Sequence, residues 1–297
     1  MKAQKMIRPQ NDYMDSQIGV KHDVLDHGYI KLLDYMSTED CLAQDARTSY
    51  GDGTKTVNDN KGLIKRLVRD WHTSPIEMAA IKVQVKLPLF VERQWIRHRT
   101  GKTCEYSGRY SLMNAEFYTP SPERMQKQHE TNRQGSSKEL IDNPEIAHAL
   151  LIKRNEDDKR AYDTLIQSGL SRELARIALP VNQYTTKTWS IDMHNLMHFI
   201  RLRHDSHAQW EIRQYANVLC DIVKGWMPNL WDAFEDYRLN SITLSGKQQE
   251  LLSVYVSITR HYNKDYAKVR VTIEAEKLGM SKGEIRETLE KFERLVG

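Results

Sequence analysis

The first residues, 1–20, are polar and keep no period, which predicts a loosely held lead-in with structure beginning near Val24. After Gly62 the apolar residues Leu63, Ile64, Leu67 and Val68 recur at helical spacing. That spacing predicts an amphipathic helix ending before Trp71 and the turn-like His72-Thr73-Ser74-Pro75. The period then changes to two: Ile81, Val83 and Val85 alternate with Lys82, Gln84 and Lys86, the pattern of a half-buried strand. Pro88, whose fixed φ suits the start of a helix, opens one that carries Phe90, Val91 and Trp95 and has Arg97-His98-Arg99 at its end.

Between Thr100 and Ser111, two glycines among polar residues predict an ordered loop beside a ligand rather than a regular element. Residues 121–143 hold few apolar anchors and read as an exposed, variable excursion. Helices resume near Pro144. Ser171 is placed to cap a helix over 172–179, with Glu173 in its first turn and Pro180 ending it. Threonines and aromatics make Tyr184 to Ser190 extended. Asp192 then caps a helix whose Leu196, Phe199, Ile200 and Arg203 share a side, continuing past a break toward Trp226. From about Leu239 the texture changes, and the last helix is announced by the Ser281/Glu284 capping box and the stripe Ile285, Leu289, Phe292, Val296. These elements predict an α+β fold. A main body over 21–238 has strands from the Ile81 and Tyr184 regions in one sheet with helices packed on it, and 239–297 forms a small helical appendage.

Composition narrows the class. At 297 residues and 39% hydrophobic content the chain can bury a sizeable core. The formal charge of +4 comes from 44 Lys and Arg against 40 Asp and Glu, with acidic residues interspersed, whereas a nucleic-acid binder concentrates its basic residues in a stripe. The charge alone decides nothing, and no nucleic-acid partner is expected. Cys41, Cys104 and Cys220 lie far apart, form no C-x-x-C pair and are odd in number, which suits a reducing cytoplasm. The opening Met-Lys-Ala-Gln-Lys-Met-Ile has no apolar core for a signal peptide, and no apolar run approaches the ~18 residues of a membrane span.

The densest chemical signal is Gln94-Trp95-Ile96-Arg97-His98-Arg99, followed after seven residues by Ser107-Gly108-Arg109-Tyr110-Ser111. Arginines flanking a histidine, then a Ser-Gly-Arg turn, gather hydrogen-bond donors where a phosphorylated ligand could sit. The plain alternative is a solvated basic helix end, which the helix dipole favours and which composition alone prefers. Other motifs fail. Gly101-Lys102-Thr103 resembles the end of a phosphate-binding loop, but Ile96 stands where its first glycine is required. His194 and His198 have the spacing of zinc ligands on a helix, but Asn195 occupies the place of the glutamate, so no metal centre is expected.

Arg-His-Arg, seven residues, then Ser resembles the signature of flavin-dependent thymidylate synthases. The likeness extends in order through His72-Thr73-Ser74-Pro75-Ile76-Glu77, Glu105, the Ala-Arg-Ile-Ala-Leu-Pro stretch around Arg176, and Leu202 to Glu211, covering roughly 24–238. The resemblance implies that 21–238 is the catalytic domain of a homotetramer. It implies an enzyme that methylates dUMP to dTMP, with tightly bound FAD, methylenetetrahydrofolate as carbon donor and NADPH as reductant. By position it puts Ser74, Arg97, His98, Arg99, Glu105, Asp192, Met193, His194 and His198 at FAD. It puts Gln94, Trp95, Ile96, Arg97, Glu105, Tyr106, Ser107, Gly108, Arg109, Arg176 and Arg203 around dUMP, with Arg109 and Arg176 forking onto phosphate. Asp192, His194 and His198 depart from the family's usual Asn, Arg and Asn. Arg203 is the residue expected to stabilise negative charge on the uracil ring, and Ser107 is expected to hydrogen-bond the nucleotide or attack it. Arg203 would share a helix face with His207; the alternative is a surface pair with Asp205 or Glu211. The rival functions are a flavoprotein of the same scaffold without folate chemistry and a nucleic-acid-binding protein using Arg97-His98-Arg99 on phosphates.

Overall fold

A computed structural model describes residues 9–48, 59–130 and 134–296. The chain separates into two compact units, Met1–Leu239 and Asn240–Gly297. The larger is built on a five-stranded antiparallel sheet of order β1-β2-β3-β7-β4. Along the chain come α1 (Asp12–Gln17), β1 (Lys21–Val24), β2 (Gly28–Met36), α2 (Glu39–Arg47), α3 (Asn60–Arg69), β3 (Ala80–Pro88), α4 (Leu89–Trp95) and β4 (Lys102–Glu105). A two-stranded ribbon follows, β5 (Gln126–Gln128) with β6 (Ser136–Leu140), then α5 (Pro144–Gln167), α6 (Arg172–Ala175), β7 (Tyr184–Asp192), α7 (Met193–Arg203), α8 (Trp210–Trp226) and α9 (Pro228–Phe234).

The α3 stripe Leu63, Ile64, Leu67, Val68 is buried, and β3 alternates as its period requires, with Ile81, Val83 and Val85 inward. β3 and β7 pair along their whole length, from Ala80 opposite Asp192 to Pro88 opposite Tyr184. One face of this sheet meets α4, α7 and α8, where Trp95 packs against Trp189 at 5.1 Å and Phe199 at 4.6 Å between ring centroids. Each such side chain taken out of water contributes roughly 1.5–3 kcal/mol, so the helix–sheet seam contributes substantially to the stability of this unit.

Several expectations are corrected. The lead-in is ordered in its described part: α1 is capped by Asn11, Met14 is fully buried, and only residues 1–8 fall outside the description. Lys102 to Glu105, read as loop, is the edge strand β4, all four residues exposed, because β7 supplies a pairing partner that local sequence does not reveal. The 121–143 excursion is exposed over most of its length but contains the β5–β6 ribbon; residues 131–133 lie outside the description. Ser171 does precede a helix, but its side chain makes no cap, and the helix tightens to a 3₁₀ turn after Ala175. α7 stops at Arg203, so His207 does not share its face and bonds Asp205 instead.

After α3 the chain turns through Trp71 at φ 57°, with His72 N–H closing back on the Leu67 carbonyl at 3.0 Å. This is a helix ending normally given to glycine, and a bulky residue there carries strain on the order of 1–3 kcal/mol.

The smaller unit holds α10 (Gly246–Thr259), α11 (Lys264–Lys277) and α12 (Lys282–Val296) around a core of its own, with Leu251, Tyr255, Val271 and Phe292 at its centre. Both Ser245/Gln248 and Ser281/Glu284 form capping boxes. No described helix is long and apolar enough to cross a membrane.

Candidate functional site

Arg97-His98-Arg99 follows the last turn of α4, and the end of α7 is brought against it. Arg203 Nε donates to His98 Nε2 at 2.9 Å and Arg203 Nη2 to the Gln94 carbonyl at 3.0 Å. The guanidinium therefore answers a carbonyl that the end of α4 would otherwise leave open. Neither Asp205 nor Glu211 pairs with Arg203: Asp205 bonds His207, and Glu211 accepts from Tyr118 and lies near Arg124. His98 is buried against Phe199 and His198, at 4.7 and 5.9 Å between centroids. Burial first, then the charges of Arg203, His198 and Lys187, depress its pKa from 6.5 to about 4. At neutral pH His98 is uncharged, with its proton on Nδ1 because Nε2 accepts. Arg97 and Arg99 are exposed and make no ion pair or hydrogen bond among the described residues.

The His98 shift has a stability consequence. A histidine whose folded pKa is depressed opposes protonation, so stability is held above pH 6.5 and lost as pH falls toward 4. Urea unfolding at pH 7 and pH 5 should differ by up to about 2 kcal/mol from this group. His98→Gln, which still offers Arg203 an acceptor, should remove that share; an unchanged pH dependence would assign the loss to other groups.

Beneath the turn, Lys187 of β7 is ion-paired with Glu92 of α4, both buried, and Lys187 Nζ lies 4.6 Å from the Trp95 ring centroid. Burial raises the Glu92 carboxyl and lowers the Lys187 ammonium, each opposed by its partner. Glu92, Lys187, Trp95, His98 and Arg99 line one cavity of about 190 Å³. Nothing in the sequence pointed to this pair, whose members are 95 positions apart.

The second predicted group lies on the turn after β4. Glu105 accepts from Thr185 Oγ1 at 2.8 Å, and Tyr106 donates its hydroxyl to the Leu112 carbonyl at 2.6 Å. Ser107 Oγ accepts from Arg109 N–H at 3.3 Å, and the N–H groups of Tyr110 and Ser111 turn onto the Ser107 carbonyl. No base stands within hydrogen-bond reach of Ser107 Oγ among the described residues of this chain. Gly108 is buried, and a Cβ on it would come within 2.5 Å of Met113 Sδ, so a larger residue there would displace the Met113 side chain. Arg109 is held by Glu173, with Nε and Nη2 both 3.1 Å from one carboxylate oxygen, while Arg176 Nε donates to the Glu173 carbonyl at 3.3 Å. Both guanidinium groups remain exposed. No hydrogen bond or ion pair joins this turn to the Arg203–His98 group among the described residues.

Asp192 is a helix cap: its two oxygens accept from Asn195 N–H at 2.9 Å and Asn195 Nδ2 at 2.8 Å. His194 meets Trp71 edge-on at 5.7 Å, and its Nδ1 is buried without a partner among the described residues. Ser74 and His198 are exposed, as is Ile96. Trp95 and Met193 have no accessible surface and pack in the core, Trp95 also bordering the cavity beneath the turn. Cys104 is exposed on the edge strand, paired with Thr188. Cys104→Ala should leave turnover within about twofold, since surface substitutions of this kind change little; loss of most activity in a protein that still folds would give the thiol a role.

The larger unit is an α+β scaffold in which a histidine held neutral under an arginine lies beside two exposed guanidinium groups. The family model described as "Thymidylate synthase complementing protein" matches residues 31–229. A flavin-dependent thymidylate synthase of Ruegeria pomeroyi is 48% identical over 246 residues, which cover 80% of this chain and 81% of that protein. One from Wolbachia pipientis is 47% identical over 247 residues, covering 80% and 84%. Among solved structures, a UMP/dUMP methylase, PolB, of Streptomyces cacaoi bound with 5-Br UMP aligns at TM-score 0.65 and 28% identity, covering 72% of this chain and 97% of that one. The chain belongs to the flavin-dependent thymidylate synthase family.

Proposed function

We propose that this chain converts dUMP to dTMP, taking the carbon from methylenetetrahydrofolate and the hydride from FAD that NADPH has reduced. The observation that carries the reading is the Arg203 fork on Gln94 and His98. It joins two family segments more than 100 positions apart, and it aims a permanent cation at the end of the Gln94–Arg99 stretch.

Each residue's part follows from its chemistry. The N–H groups of Ser107 and Gly108, without acceptors among the described residues, and the exposed Arg109 and Arg176 would bind the dUMP phosphate, Arg109 leaving Glu173 to do so. Glu105, Tyr106, Ile96 and Gln94 would border the nucleoside. Arg203, with N–H groups to spare beyond its two bonds, would sit at the uracil N3–O4 edge and stabilise the negative charge that makes C5 nucleophilic. Arg97, Arg99, Ser74, His194 and His198 fit an anionic, heteroaromatic cofactor, since two unpaired guanidinium groups meet its phosphates and the orphaned His194 Nδ1 can meet its ring. When bound there, FAD supplies the hydride that completes the methyl group. Neutral His98 holds Arg203 in place and adds no competing charge.

The active form is inferred to be a homotetramer. No hydrogen bond or ion pair joins the phosphate turn to the Arg203 group among the described residues, and Tyr110, Ile177 and Val181 are 80%, 77% and 67% exposed, as residues covered by another subunit would be. Light scattering tests the assembly. For the function, purified protein should be yellow, release FAD on denaturation, and form dTMP from dUMP only with methylenetetrahydrofolate and NADPH. Flavin without dTMP would favour a flavoprotein lacking folate chemistry.

A further inference from the structure

The backbone after α3 asks only for a residue tolerant of a positive φ, and glycine would meet that demand without strain. The chain places Trp71 there. The indole is then held from several sides. The Arg238 guanidinium lies 3.8 Å from the ring centroid, fixed in turn by Nη2 donating to the carbonyls of Val68 at 2.8 Å and Arg69 at 2.9 Å. His194 meets the ring edge-on. A side chain so braced would ordinarily be buried, but Trp71 keeps 49% of its surface. It borders an apolar pocket of about 10 Å³ with His194, His198 and Arg201, and the unpartnered His194 Nδ1 is buried beside it. Strain tolerated for the sake of a rigid, half-exposed aromatic plate beside an orphaned ring nitrogen points to a ligand that stacks.

We propose that Trp71 is a stacking plate for a planar heteroaromatic ring laid on its exposed surface: the flavin, or the pterin or nicotinamide of a co-substrate. Arg238 acts through Trp71 as a positioning residue. The inference rests on the flavoenzyme reading above and adds to it a residue and a subsite.

Full-length Trp71→Gly and Trp71→Phe separate the plate from the fold, because glycine relieves the backbone while removing the ring. Trp71→Gly should melt within a few degrees of the parent. Titrated one at a time, FAD, methylenetetrahydrofolate and NADPH should include one ligand whose binding weakens about tenfold or more in Trp71→Gly, the range of losing one aromatic stack. Trp71→Phe should recover most of that loss. The ligand affected identifies the ring. Unchanged binding of all three in a folded Trp71→Gly overturns the proposal, as does a large fall in melting temperature with all three weakened together, which would make the indole structural. A parent protein that binds none of the three overturns the flavoenzyme reading and this proposal together. A flavin-loaded parent indifferent to Trp71→Gly overturns this proposal alone.

Discussion

Arg203→Ala is expected to lower dUMP turnover by about a hundredfold to a thousandfold while the protein stays yellow, the usual loss when one preorganised donor to a developing anion is removed. A second, smaller effect comes from the contacts. The variant leaves the Gln94 carbonyl at the end of α4 and His98 Nε2 without their donor, which costs about 1–3 kcal/mol of stability. Arg203→Lys should rescue little. An ammonium on a flexible stem cannot reach His98 Nε2 and the Gln94 carbonyl together and still face the pyrimidine edge as a planar fork does. Turnover, flavin absorbance and circular dichroism on both variants decide the matter. Near-normal turnover in Arg203→Ala removes the assignment, and joint loss of flavin and fold makes the residue structural.

Lys187→Ala should destabilise the larger unit by about 3–5 kcal/mol, because it leaves the Glu92 carboxylate uncompensated in the core. Glu92 Oε1 already lacks a partner among the described residues, so little remains to absorb the charge. The double variant Glu92→Leu/Lys187→Met should recover most of the loss, since a buried ion pair often contributes no more than apolar groups of similar volume. Urea unfolding of parent, single and double variants measures this. A double variant as unstable as the single one would mean that the pair stabilises beyond its own charge balance, for example by seating Trp95.

What the sequence makes legible follows from what each residue must do locally. The α3 stripe, the alternation of β3 and the Asp192 cap report contacts within a few residues of themselves, and all three stand where their patterns put them. β2 is harder to read, because its register shifts between Leu32 and Asp34 and the alternation slips out of phase at that bulge. β4 carries no apolar residue except Cys104 and exists through its ladder with β7. In the site, the motif residues could be picked out as a group from family segments. Their division into surface and support could not, since Trp95 and Met193 differ from their neighbours only in which way the chain turns them. The Glu92–Lys187 pair was invisible for a related reason: each is an ordinary surface residue type, and only the packing of α4 on β7 buries them together.

Among the described residues, the C-terminal helices bury a core of their own, distinct from that of the larger unit. Heat should therefore be absorbed in two cooperative transitions rather than one, with a van't Hoff enthalpy below the calorimetric value for the whole chain. Small units bury a lower fraction of their surface, so the C-terminal one should give the lower-temperature transition. Lys187→Ala would then displace only the other. A single melting temperature assigned to this chain would average two equilibria, and hydrogen exchange would report a separate opening free energy for each.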